Sequence, residues 1–288
     1  MQQQEWGGSH DASRPVVRHD IESEFSMSVI HRPGLPLVIG HRGAAAVRPE
    51  NTIASFEHAI ALGVDAIEFD VRLSVDGVAL VHHDPDTSRT CGTALSIEGS
   101  RSADLRALDA GETFARADWQ STDARIPLLD EVLELTRDLP LIIECKTVAA
   151  VAPVVRALAA HDASHRAVVG SFLDAAMIEA RAAGVRSGAA RGDMIGLVLR
   201  NLIRLAPRAV PFDVMCIPER ASGITLPIAR LARWGRGLGV PVHVWTVNRA
   251  DDANRLWDVG VTGIISDDPA TILAARAARS IPARAVQR

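Results

Sequence analysis

Glu68 and Asp70 stand one residue apart in Ala66-Ile67-Glu68-Phe69-Asp70-Val71. On a β-strand, positions i and i+2 share a face, so both carboxylates point the same way. Like charges held together in a low-dielectric interior repel, and burial penalises each of them. They need a cation, a proton or an arginine between them. A hard divalent ion, Mg²⁺ or Ca²⁺, suits such oxygen ligands. The structural alternative is a strand-end salt bridge or an exposed acidic pair. Leu141-Ile142-Ile143-Glu144-Cys145-Lys146 repeats the spacing. Glu144 would complete a three-carboxylate site, and Lys146 would offer a positive charge to a phosphate from the same side. Alternatively, these two serve only to neutralise each other. Cys145, between them, is expected to point outward into packing rather than to act as a nucleophile.

His41-Arg42-Gly43 closes one apolar run and His82-His83-Asp84 closes another. Pro49-Glu50-Asn51-Thr52 precedes a helical stretch, with Asn51 or Thr52 suited to capping it. A lone histidine is more often structural than catalytic. Here two histidine motifs and two carboxylate motifs all fall at strand ends, and independent placement of that kind is improbable.

The elements that must position these residues begin at Leu37. Strands are expected over Leu37–Gly40, Asp65–Val71, Leu141–Cys145, Ala167–Gly170, Arg186–Ala190, Asp213–Ile217, Val242–Val247 and Gly263–Ser266. Helices are expected over 51–62, 129–138, 148–160, 174–183, 194–205, 225–238, 250–259 and 269–279. Alternating βα units argue for a parallel sheet, and closure gives an α/β fold of the TIM-type (β/α)8 barrel class. Active sites of such barrels lie at the C-terminal ends of the strands, where the histidines and acids fall. An open doubly wound sheet is the alternative, but no GxGxxG follows the first strand. Val78–His83 returns across Ser74-Val75-Asp76-Gly77 as an antiparallel hairpin arm. Reflection about that turn sets Asp70 opposite Val81 and Glu68 opposite His83. Residues 85–127 then form an insertion after the second strand, of the length of a lid or substrate-binding loop.

The chain has 288 residues, 48% of them hydrophobic, which suits one large domain with a sizeable core. The barrel is expected over 34–280, between an N-terminal tail at 1–33 and a C-terminal tail at 281–288. The tail histidines His10, His19 and His31 are read as solvated. The first 33 residues lack an apolar secretory core, and no run is apolar enough for a transmembrane helix. A net charge of −4 with interspersed signs gives no footprint for nucleic acid. Cys91, Cys145 and Cys216 form no paired spacing, so a reducing, cytoplasmic setting is expected. Oligomeric state is left open.

Taken together, HRG…PENT, the IEFDV strand, DG…HHD and IIECK resemble the glycerophosphodiester phosphodiesterase family. The resemblance runs on through Ser171-Phe172, Trp245-Thr246-Val247-Asn248 and Gly263-Ile264-Ile265-Ser266-Asp267, over roughly residues 37–275. It implies metal-dependent hydrolysis of glycerophosphodiesters to glycerol 3-phosphate and an alcohol, a step of lipid metabolism. It implies His41 and His83 as the acid and base, in an order left open. Glu68, Asp70 and Glu144 are implied as metal ligands, with Glu50 as a further ligand or close behind them. Arg42 and Lys146 correspond to the phosphate-binding cations, and Trp245 to an aromatic residue near the substrate.

Two other functions were weighed. A lysophospholipase D would use the same groups on a single-chain lipid, with an apolar groove from Phe114, Trp119 and the 194–205 stretch. Periodicity favours reading that stretch as an amphipathic barrel helix packed on the strands. A catalytically silent phosphate-binding barrel is disfavoured, because His41, Glu50, Glu68, Asp70, His83 and Glu144 are all competent residues.

Overall fold

The computed structural model describes residues 34–116, 118–119, 124–221 and 223–280. The stretches expected as tails, with His10, His19 and His31, lie outside the described residues. In chain order the strands are β1 (Leu37–His41), β2 (Ala66–Leu73), β3 (Ala79–Val81), β4 (Leu141–Cys145), β5 (Ala167–Gly170), β6 (Met215–Pro218), β7 (Arg220–Ala221), β8 (Ile224–Thr225), β9 (Val242–Trp245) and β10 (Gly263–Ser266). The helices are α1 (Ile53–Leu62), α2 (Ser88–Cys91), α3 (Ser102–Arg106), α4 (Leu129–Leu135), α5 (Val151–Ala160), α6 (Asp174–Ala182), α7 (Arg191–Leu202), α8 (Ile228–Leu238), α9 (Ala250–Asp258) and α10 (Pro269–Ser280).

Parallel pairing runs β5–β4–β2–β1–β10–β9–β6. The gap from β5 back to β6 is closed by a short segment, in which Ser187 bridges Val169 and Gly188 bridges Val214. Ala189 N–H donates to the Val214 carbonyl at 2.9 Å, and Gly188 N–H to that of Val169 at 2.9 Å. The sheet thus closes into the expected TIM-type (β/α)8 barrel. Its fifth strand, expected over Arg186–Ala190, shrinks to these bridges. Ser187, Gly188 and Ala189 bring too little side chain to hold a longer ladder.

Strands covered on both faces should be apolar almost throughout, and β1 and β4 are. Outward, Ile67, Phe69, Val71, Ile143 and Cys145 pack against α1, α4 and α5. Inward, Leu37, Ile39, Ala66, Ile142 and Ile265 fill the barrel interior. Opposed residues of neighbouring strands share a face, so register decides which polar groups meet. His41 pairs with Glu68 across β1–β2, and Asp70 pairs with Glu144 across β2–β4.

The hairpin differs from expectation by one residue. Val71, not Asp70, pairs with Val81, and the His82 N–H donates to the Asp70 carbonyl at 3.0 Å. The cause is a three-residue loop, Val75-Asp76-Gly77, with Gly77 in the left-handed region at φ 77° and Ser74 N–H bonded to the Val78 carbonyl. An odd loop centres the reflection on Asp76 and shifts every pair. The insertion after β3 carries α2, α3 and its own apolar cluster of Leu80, Cys91, Ile97, Leu105, Ala110 and Ile126.

The helix expected over 194–205 forms as α7 three residues earlier and packs on the strands through Leu197 and Met194. Of α7, only Leu197 is fully buried, while Ile195, Leu199 and Leu202 are exposed. Phe114 and Trp119 stack edge to face beneath Arg48 and are absent from the wall of the central cavity. Among the described residues, Phe114, Trp119 and α7 form no apolar groove on the cavity.

Candidate active site

The cavity at the C-terminal mouth of the barrel is lined by His41, Arg42, Glu68, His83, Glu144 and Lys146 on its polar side. Ile142, Val168, Val214, Ile265, Phe172 and Trp245 line its apolar side. Phe172 and Trp245 meet edge to face, with ring centroids 5.8 Å apart. Of the residues expected to act on substrate or metal, Asp70 and Glu50 are off this wall, each one contact behind it.

Glu68, Asp70 and Glu144 each offer a carboxylate oxygen within 4.8 Å of the others. Lys146 Nζ bridges two of them, 2.8 Å from Asp70 Oδ1 and 2.7 Å from Glu144 Oε1. Arg42 Nε stands 3.2 Å from Asp70 Oδ2. Asp70 is itself buried, and burial alone would raise its proton affinity. The neighbouring Lys146 and Arg42 charges override that and hold it down to about 2. Glu68 has no Lys or Arg side chain so close; His41 Nε2 is 3.8 Å away and the Arg42 backbone N–H donates to it at 3.3 Å. Burial, then the charge of Asp70, pushes it up to about 7. Burial also raises Glu144, against the pull of Lys146.

Around this cavity six carboxylates (Glu50, Glu68, Asp70, Asp84, Glu144, Asp267) face three fixed cations (Arg42, Arg89, Lys146). That excess of negative charge is what a hard cation would offset. The donor set is all oxygen and fits a divalent ion.

Glu50 is not brought into the carboxylate group. Its Oε1 accepts from Arg42 Nη1 at 2.7 Å, and Arg89 engages both of its oxygens at 2.7 Å. Glu50 thereby orients Arg42 rather than presenting a free oxygen. Arg89, from α2 in the insertion, also donates to Asp84 Oδ2 at 2.6 Å.

Each histidine has a carboxylate on Nδ1: His41 with Asp267 Oδ1 and His83 with Asp84 Oδ1, both at 2.6 Å. A carboxylate accepts, so both Nδ1 atoms carry hydrogen and both Nε2 atoms are left to work. Asp267 is held in turn by Asn248 Nδ2 at 2.9 Å. Burial works against the protonated form of both rings. For His41 the Asp267 hydrogen bond and the charge of Glu68, 3.8 Å away, outweigh it and raise the pKa. For His83 burial prevails, helped by Lys146 and Arg42, and lowers it. His82, by contrast, is buried and turned to the Asp86 carbonyl at 3.1 Å.

Local backbone geometry makes this possible. Gly43 has φ 92°, and a Cβ there would collide with Ser55, so His41-Arg42-Gly43 can lie against the start of α1. Thr52 caps α1 through Ser55 N–H at 3.2 Å. Asn51, the other capping candidate, adopts φ 57° and donates from Nδ2 to Asp70 Oδ2 at 2.9 Å. Asparagine tolerates that region better than most residues, which is the signal that could have separated the two. Sequence pattern alone assigns no site role to Asp84, Asp267, Asn51 or Arg89. Asp84, Asp267 and Asn51 stand inside the HHD, ISD and PENT motifs, but nothing local says which group each one serves. Cys145 packs outward as expected, and burial pushes its thiol up to about 12.

The sequence pattern of the glycerophosphoryl diester phosphodiesterase family matches residues 41–187 and 216–271. A glycerophosphodiester phosphodiesterase of Caldanaerobacter subterraneus is 32% identical over 247 residues, covering 82% of this chain and 96% of that protein. A lysophospholipase D of Homo sapiens is 26% identical over 262 residues, covering 80% of this chain and 83% of its own. Among solved structures, a phosphodiesterase of Oleispira antarctica in complex with the product sn-glycerol-3-phosphate is 25% identical with a TM-score of 0.66. That match covers 84% of this chain and 96% of the other.

Proposed function

The chain belongs to the glycerophosphoryl diester phosphodiesterase family and is a phosphoric diester hydrolase; from that premise we propose that it cleaves glycerophosphodiesters to glycerol 3-phosphate and an alcohol, with His83 as base and His41 as acid. One observation carries the reading. Two imidazoles, each held on Nδ1 by a carboxylate, line the same cavity as Glu68 and Glu144 of a three-carboxylate cluster.

Glu68, Asp70 and Glu144 would hold a divalent ion, Mg²⁺ or Ca²⁺. When bound, the ion supplies positive charge to the nonbridging oxygens of the phosphate. The chain's own residues do the rest. Arg42 and Lys146 line the cavity as fixed cations and orient the phosphodiester. His83, with its lowered pKa, is neutral near pH 7 and takes a proton at Nε2 from the attacking hydroxyl, of water or of the substrate's glycerol. His41, whose raised pKa favours the protonated ring, protonates the departing alkoxide from Nε2. Trp245, braced by Phe172, forms the apolar wall against which the alcohol lies. The free thiols of Cys91, Cys145 and Cys216 suit a reducing cytoplasm.

The direct test is chelator-sensitive release of glycerol 3-phosphate from glycerophosphocholine. Lysophosphatidylcholine is assayed beside it, because the apolar wall and the human relative make a lysolipid the second substrate to try. Binding of glycerophosphocholine without turnover at saturating divalent ion would reject the reading.

The two histidine shifts also predict a bell-shaped profile of kcat/KM. Activity falls at low pH as His83 becomes protonated through its lowered pKa and cannot accept. It falls at high pH as His41 loses its proton through its raised pKa and cannot donate. Asp267→Asn removes the main support of the His41 imidazolium, so the alkaline limb moves to lower pH and the acid limb stays. An unmoved alkaline limb would contradict the assignment.

A further inference from the structure

The solvent face of α7 is apolar where a barrel helix is normally polar. Ile195, Leu199, Leu202 and Ile203 recur at helical spacing and are 52%, 57%, 72% and 70% exposed. Leu205, just beyond, is exposed as well. A run of large aliphatic residues on one outer face marks an interaction surface. Charge identifies its partner. Residues 194–212 contain Arg200, Arg204 and Arg208 and no acidic residue, in a chain whose net charge is −4. All three arginines are exposed, and among the described residues none has an ion-pair partner. Arg230 of α8 adds a fourth cation, its Nη1 reaching the Asn201 carbonyl at 3.2 Å.

Only the start of α7 stands near the cavity, and the helix then runs to the other end of the barrel, where Arg208 lies with Val185, Phe212 and Val240. Gly188 and Ala189, just before α7, line the cavity, as does the half-exposed Phe172. The Phe172–Leu173 rim is tied to α7 where Gly192 N–H donates to Asp174 Oδ1 at 2.8 Å. The family match passes over residues 188–215, which contain this whole segment.

We infer that the outer face of α7 and the turn after it docks this protein peripherally on an anionic lipid bilayer. The aliphatic stripe enters the headgroup–acyl boundary, and the arginines lie along it with their guanidinium groups on lipid phosphates. A second copy of the chain is a poorer occupant. A two-fold contact would bring together two copies of a segment that carries arginines and no acid to pair them. No helix among the described residues is long and apolar enough to cross a membrane, so attachment through this face is at the surface.

The test is co-sedimentation of the full-length protein with phosphatidylcholine vesicles, with and without about one third phosphatidylglycerol. The protein should pellet with the anionic vesicles and be released by added salt. Leu199→Gln/Leu202→Gln/Ile203→Gln and Arg200→Gln/Arg204→Gln should each weaken partitioning by about tenfold or more. Both variants should hydrolyse soluble glycerophosphocholine like the wild type, which also reports that they are folded. Failure of the wild type to pellet with anionic vesicles overturns the inference, as does equal pelleting of the triple variant. So does a wild-type dimer in sedimentation velocity that the triple variant converts to monomer, because a second copy then covers the face. The readout is binding, so its failure leaves the hydrolase reading standing.

Discussion

Alanine at His41 or at His83 should lower kcat on glycerophosphocholine by about 10²–10⁴-fold while leaving the barrel folded. Both side chains lie at the cavity wall rather than in the cores between sheet and helices, so their loss opens little packed volume. The thermal midpoint should therefore move by only a few degrees. The two variants can be told apart with a substrate whose leaving group needs no proton. A p-nitrophenyl phosphodiester should restore much of the turnover lost in His41→Ala and little of that lost in His83→Ala. The first variant lacks the acid that such a leaving group does not require. The second lacks the base, which every substrate requires. Steady-state kinetics on both substrates, with melting curves as control, decide it. Turnover in either alanine variant within about tenfold of wild type would remove that histidine from the acid–base pair.

Glu68→Gln should act in opposite directions on activity and on the stability of the metal-free protein. Burial and the Asp70 charge push Glu68 up to about 7, well above the value it has in an unfolded chain. Between those values the folded protein keeps a proton that the unfolded chain has released. Stability of the chelator-treated protein therefore falls as pH rises through that interval and stays lower above it. Glutamine has no proton to lose, so at pH 8 the metal-free variant should melt higher than the wild type. A divalent ion should reverse the order. It binds the folded wild type and raises its midpoint by mass action, and it should barely move the variant. Activity of the variant should drop by about 10²-fold or more, the usual scale for removing one electrostatic support of a transition state. Calorimetry with chelator, Mg²⁺ or Ca²⁺, run beside the assay, reads every arm. If chelator-treated wild type keeps full activity, or ion raises both midpoints equally, the carboxylate cluster does not hold a functional metal.

How much of this site could be read locally depends on how many residues a given feature spans. The period of a strand places Glu68 with Asp70 and Glu144 with Lys146, because alternation is a property of the strand alone. Apolar runs bounded by turn residues located β4, β5 and β10 over the very residues observed. Loop geometry was less legible. One extra residue in the turn at Asp76 moved the hairpin register by one position, and only a left-handed Gly77 discloses that turn type.

The sequence by itself determined the alternation of strands and helices, the barrel class and the polar residues at the strand ends, since each follows from short-range periodicity and residue type. Tertiary structure alone decided the partners. His41 takes its carboxylate from Asp267, 226 residues away, and Glu50 spends its oxygens on Arg42 and Arg89 instead of joining the other acids. It also decided that the aliphatic residues of α7 face water, because periodicity says which residues share a face of a helix but not which face the rest of the molecule covers.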